Sequence, residues 1–208
     1  KGPDKADSVV IFVHGYGADG ADLLGLADPL GPHLPGTAFY APDAPEPSLV
    51  NPMGRQWFSI PRLDGSSPAQ AQAGLLHAAD DLNGFVDSVL KTEGLGPDRL
   101  ALVGFSQGTM LSLYIAPRRP VPIAAVMGFS GRLLAPESLV AEVVSRPPVM
   151  LAHGDQDPMV PFADMAAAEK TLRAAGFDVG THVMRGVGHG ISPDGLSVAL
   201  EFLRRHLP

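Results

Sequence analysis

Short apolar runs alternate with longer amphipathic stretches along this chain. Residues 9–13, Val-Val-Ile-Phe-Val, form a β-branched run between Asp7-Ser8 and His14-Gly15. A run of that length, bounded by turn residues, predicts a buried strand. Comparable runs at 37–40, 100–103, 123–127, 148–152 and 179–184 predict five more. Within 70–90, Leu75, Leu76, Ala79, Leu82, Val86, Val89 and Leu90 share one stripe, with Asp80, Asp81 and Asp87 mostly off it. That spacing predicts the longest helix, stopped by Gly94-Leu95-Gly96-Pro97. Shorter helices are predicted at 21–30, from 109 onward, at 136–144, at 194–206, and at 161–175, where proline stands near the start and Gly176 follows the end. Residues 42–68 show no such period, are rich in proline and hold Trp57, the only tryptophan. An irregular stretch of that length is usually functional, and it reads as a lid-like active-site loop.

Strands alternating with helices imply right-handed crossovers and a mostly parallel sheet, about six main strands covered on both faces. The fold class is α/β, and 208 residues fit one domain, 1–208. Hydrophobic residues make up 45% of the chain and mean hydropathy is +0.13, enough for a sizeable core. A net charge of −7 and a pI near 5.4 argue against nucleic-acid partners and anionic membrane surfaces. No apolar run approaches the ~20 residues of a membrane span, so no stable membrane insertion is expected. The absence of cysteine excludes disulfides, thiolate metal sites and cysteine catalysis. A cytoplasmic location is expected and a homodimer is left open. Because the chain starts at Lys1 and not at a methionine, its start carries no argument about a targeting segment.

In parallel sheets, sites gather at the carboxyl ends of the strands, and the chemically suggestive residues here fall at those ends. After the run 100–103 come Gly104-Phe105-Ser106-Gln107-Gly108 and then a helical spacing of Met110, Leu111, Leu113 and Tyr114. With 24 glycines in the chain, a bare Gly-x-Ser-x-Gly should arise by chance in roughly one such chain in six. Its place between strand and helix is what makes it resemble the nucleophile elbow of the α/β-hydrolases. Gly128-Phe129-Ser130-Gly131-Arg132 also follows an apolar run, but lacks the second glycine and leads into Pro136. Ser106, and not Ser130, is therefore the candidate nucleophile.

A serine hydroxyl needs a base at neutral pH, and in this fold the order along the chain is serine, acid, histidine. Of seven histidines, His189 alone sits in a glycine-flanked loop, Gly186 to Gly190, after the last strand. His182 lies inside that strand, His206 ends the closing helix, where a cation suits the dipole, and His14 reads as a loop brace. The loop after the fifth strand offers Asp155 and Asp157. Asp155 is closer to the strand and suits the turn-aspartate role of accepting from loop amides; Asp157 is preferred as the acid that orients His189. The tetrahedral oxyanion needs two donors, for which the backbone N–H groups of Gln107 and of Tyr16, in the loop after the first strand, are chosen. No metal or cofactor is required.

Together His14-Gly15-Tyr16-Gly17, the Gly-Phe-Ser-Gln-Gly elbow, Gly128-Phe129-Ser130-Gly131, His153-Gly154 with Asp157-Pro158 and Val160-Pro161, and Gly188-His189 resemble the carboxylesterase and acyl-protein-thioesterase group of α/β-hydrolases. Arg55-Gln56-Trp57-Phe58 is similar to the Trp-Phe loop that such enzymes place beside the acyl site, although Ser59 stands where the family often has an acidic residue. The resemblance implies hydrolysis of small-molecule carboxylic esters through an acyl-enzyme on Ser106, with thioesters or lysophospholipids as alternative substrates. A ligand-binding member of the fold would normally have lost a triad residue, and a peptidase would carry an extra domain. Trp57, Phe58, Met159 and Val160 are expected to wall the acyl site and to favour uncharged esters of short to medium chains; Trp57 as an anchor of its loop is the alternative.

Overall fold

The computed structural model describes all 208 residues, Lys1–Pro208. Six strands form one sheet: β1 (Ser8–Val13), β2 (Thr37–Tyr40), β5 (Leu100–Phe105), β6 (Ala125–Phe129), β7 (Val149–Gly154) and β8 (Val179–Met184). Their order is β2-β1-β5-β6-β7-β8 and every pairing is parallel. The oldest-numbered strands thus lie at one side, with the chain stepping outward from β5, and all loops that follow strands open at one end.

Period-two alternation sends each strand's side chains to two different cores. Val9, Ile11, Val13, Leu100 and Leu102 pack on one face, beneath the long helix α4 (Pro68–Glu93) and helices α5 (Gln107–Ile115) and α7 (Ala163–Ala174). Val10, Phe12, Ala101 and Val103 pack on the other, beneath the short helices α1 (Gly20–Leu24) and α2 (Ala27–Leu30) and the closing helix α8 (Pro193–His206). All nine residues of α5 are buried, and a fully buried leucine such as Leu111 contributes about 1.5–3 kcal/mol.

Several predicted elements shift in position. The helix expected at 21–30 is broken into α1 and α2, because Pro29 has no N–H to continue the ladder. The long helix begins earlier, at Pro68, where Ser67 and Gln70 cap each other: Gln70 N–H donates to Ser67 Oγ (3.2 Å) and Ser67 N–H to Gln70 Oε1 (2.8 Å). The last strand before the 136–142 helix (α6, Pro136–Glu142) lies two residues later than the apolar run. Residues 42–68 are not structureless: they contain a two-stranded antiparallel pair, β3 (Glu46–Pro47) with β4 (Arg55–Gln56), and a turn of helix, α3 (Pro61–Asp64).

The elbow depends on close approach of backbones. A Cβ on Gly108 would stand 1.8 Å from the carbonyl oxygen of Val13, and one on Gly104 would stand 2.5 Å from the Thr109 nitrogen. With glycine at both positions α5 can cross directly above β5 and β1.

Candidate active site

Ser106 stands between the end of β5 and the first residue of α5 with φ 53° and ψ −114°. A non-glycine residue there is strained by about 1–3 kcal/mol. The surrounding bonds hold it: Ser106 N–H donates to Phe129 O (2.8 Å) and Met110 N–H to Ser106 O (3.1 Å). Ser130 follows β6 with a φ that is also positive, 47°, and its N–H donates to Ala152 O (2.9 Å). The two serines differ in exposure. Ser130 is fully buried, whereas Ser106 opens onto a cavity of about 610 Å³.

That cavity is lined by Ser106 and His189 together with Phe58, Met110, Met159 and Val160, with Tyr16 also on its wall. His189 Nδ1–H donates to Asp157 Oδ2 (2.7 Å), which leaves Nε2 as the ring nitrogen without a carboxylate partner. The imidazole lies against Phe105, ring centres 4.9 Å apart. Asp157 has no exposed side-chain surface. Burial opposes its charge, but the His189 bond and the N–H groups of Val160 and Met159 outweigh it and hold the carboxyl below its ordinary range. Those amides donate to Oδ1 at 2.9 and 2.8 Å. Asp155 does something different. Its Oδ1 accepts from Gly186 N–H (2.7 Å), stitching the loop after β7 to the loop that carries His189.

The loop after β1 faces the elbow from the other side. A Cβ on Gly15 would be 3.4 Å from Ser106 Cβ, so this loop passes against the serine. Tyr16 N–H and Gln107 N–H donate to no other backbone group; the latter opens a helix, where N–H groups lack an intrahelical acceptor. His14 braces the loop: its Nδ1–H donates to Gly15 O (2.8 Å) and its Nε2 accepts from Ala44 N–H (3.0 Å). Burial pushes this histidine's pKa down, so it is a neutral, fully packed side chain.

Of the four residues expected to wall the acyl site, Phe58, Met159 and Val160 line the cavity and Trp57 does not. Trp57 is only 2% exposed, turned inward, and its indole N–H donates to His14 O (3.0 Å). A buried indole N–H must find an acceptor, and this one is supplied by the loop carrying Tyr16. His206 ends α8 as expected, and burial with the neighbouring Arg205 lowers its pKa. His182 sits on the edge strand with Asp194 (2.7 Å).

Some contributors carry no readable sequence signal. Asp64 accepts from Tyr16 OH (3.3 Å) and Ile60 N–H (2.7 Å), and Arg62 donates to Met159 O (2.9 Å). His153, fully buried, directs Nε2–H toward Val160 O (3.0 Å) and Asp157 Oδ2 (3.3 Å). The only hint of it was its place in the His-Gly pair ahead of the aspartates.

Comparison with known proteins follows the same lines. A model of the phospholipase/carboxylesterase family matches residues 1–207. Esterase YpfH of Escherichia coli (strain K12) is 30% identical over 210 residues, spanning 99% of this chain and 86% of that protein. Acyl-protein thioesterase 1 of Gibberella zeae is 28% identical over 215 residues, spanning 97% and 91%. The crystal structure of esterase PE8 superposes with a TM-score of 0.92 at 42% identity, covering 98% of this chain and 94% of that one. The family match reaches from the first residue to the penultimate one and takes in every loop described above; this chain belongs to the phospholipase/carboxylesterase family.

Proposed function

We propose that this member of a hydrolase family cleaves carboxylic esters of short to medium acyl chains, with Ser106 as nucleophile, His189 as base and Asp157 as the acid that orients it. One observation carries the reading. A strained serine faces the same apolar cavity as a histidine whose far nitrogen is held by a buried carboxylate. In the reaction His189 Nε2 takes the Ser106 proton as Oγ attacks the acyl carbon. The imidazolium then protonates the departing alcohol, and a water activated by the same nitrogen releases the acid. The N–H groups of Gln107 and Tyr16 are the donors for the oxyanion. Residues 42–68 serve as a wall over the acyl site, with Phe58, Met159 and Val160 on the cavity lining. Each methylene buried there contributes up to ~0.8 kcal/mol.

A thioester reading uses the same machinery and is supported by the likeness to acyl-protein thioesterase 1. A hydrolysis panel of esters and thioesters of graded chain length decides between the two. Esters are expected to lead, with rates rising with chain length until the cavity is full. A fluorophosphonate probe should label the native protein stoichiometrically and leave Ser106→Ala unlabelled and inactive but folded. Labelling that survives in this variant, or that maps to Ser130, overturns the assignment.

A further inference from the structure

The side chain of Gln107 has no part in the reaction just described, yet it is fully buried and both its oxygen and its nitrogen have partners. Trp57 N–H donates to its Oε1 (2.9 Å), and its Nε2–H donates to Phe58 O (2.7 Å). Only a carbonyl can accept and only an NH₂ can donate, so the orientation of the amide is set by the loop itself. The primary amide thus bonds two consecutive residues of the loop, one through its N–H and the next through its carbonyl. On its other side this segment rests on α4, where a Cβ at Gly74 would stand 3.1 Å from Phe58 Cβ. Phe58 is thus seated between the elbow and the long helix, with its side chain on the cavity wall beside Ser106 and His189.

The geometry points to Gln107 as the positioning residue that sets acyl-chain specificity. Its backbone N–H and its side-chain amide belong to one rigid helix start, so the oxyanion donor and the acyl wall are held at a fixed spacing by the same residue. The inference rests on the ester-hydrolase reading above, and it adds where chain-length preference is encoded. With Phe58 fixed, each methylene that slides along the wall is enclosed in the same way, which corresponds to about a fourfold gain in kcat/KM per methylene at the usual transfer value. With the amide bonds removed, Trp57 N–H and Phe58 O must turn to water, the wall recedes, and added methylenes remain partly wet.

The test compares native protein with Gln107→Met, which keeps the length but neither bond, and with Gln107→Asn, which keeps an amide one carbon too short to span both partners. The second variant serves if the first does not give a cooperative melt. The readout is the slope of log kcat/KM against chain length over a homologous p-nitrophenyl ester series, not the rate on any one ester. The slope is expected to fall from about fourfold to under twofold per methylene. An unchanged slope in a folded variant, whatever its overall rate, overturns the assignment, because loss of a merely structural bond would slow all esters by one factor. Trp57 is the only tryptophan, so its emission reports on the same segment without any turnover. A red shift in the folded variants is expected. If the native protein hydrolyses none of the esters, the hydrolase reading has failed, and emission still decides the clamp: an unshifted spectrum overturns it.

Discussion

Asp155 and Asp157 are the same residue type two positions apart, and their surroundings give them different work. The two backbone amides on Oδ1 of Asp157 leave only Oδ2 to face His189. In Asp157→Asn those amides would keep the amide oxygen, forcing NH₂ toward the imidazole. Nδ1 must then accept, the proton moves to Nε2, and the base is lost at the serine. Turnover should fall by about 10⁴-fold with the fold intact. Asp155→Asn loses only part of a loop contact with Gly186, so its turnover should stay within a few-fold while loop stability drops. Steady-state kcat for the two variants checks this, and the reverse ranking would transfer the role to Asp155.

Among elements, the segment between β2 and α4 and the loop after β1 behave as one piece. Gly17 N–H donates to Arg55 O (2.8 Å), Arg55 N–H to Ala18 O (2.7 Å), and the Asn51 amide to Gly17 O (2.8 Å). Trp57 adds its indole bond to His14 O. Trp57→Phe keeps most of the buried ring but leaves that carbonyl unpartnered, a loss of about 1–3 kcal/mol. Because the ring is not on the cavity wall, kcat/KM should fall by a similar factor for every chain length. Urea unfolding and an ester series measure both. A changed chain-length profile at unchanged stability would instead put the ring in the acyl site.

At the scale of the whole molecule, acid should lower the protein's stability over two pH windows. Burial holds the pKa of His14 below its ordinary 6.5, and His206 is lowered by burial and Arg205. The unfolded chain therefore takes up these protons at higher pH than the native one. The stability from neutral histidine is complete above 6.5 and drains away as pH falls from there toward the folded pKa. Asp157 is shifted the same way but from the carboxylate range, so its contribution persists to lower pH and is lost only as pH falls through that range. Denaturant midpoints measured from neutral to pH 3 should fall first in the histidine window. His14→Gln, which can still accept from Ala44 N–H, should flatten that first stage and leave the second. An unaltered first stage in the variant would remove His14 as its source.

The linear chain determined the strands, because a run of β-branched and apolar residues between turn residues can be satisfied only by burial on both faces. It also determined that Ser106, Asp157 and His189 follow strands, and hence that a parallel sheet carries them to one end. Local pattern does not contain side-chain direction across long separations. Trp57 reads first as a wall of the acyl site, and only the indole N–H bond to His14 O, at 3.0 Å, shows it to be an anchor. The Gln107 amide finds partners fifty and forty-nine residues back along the chain, and His153 meets Asp157 only once the loop after β7 has curled over it. The strands β3 and β4, two residues each, are too short to leave a periodic trace. Such features exist because closing the fold brings unsatisfied backbone groups beside particular side chains, and those pairings were decided by the tertiary structure alone.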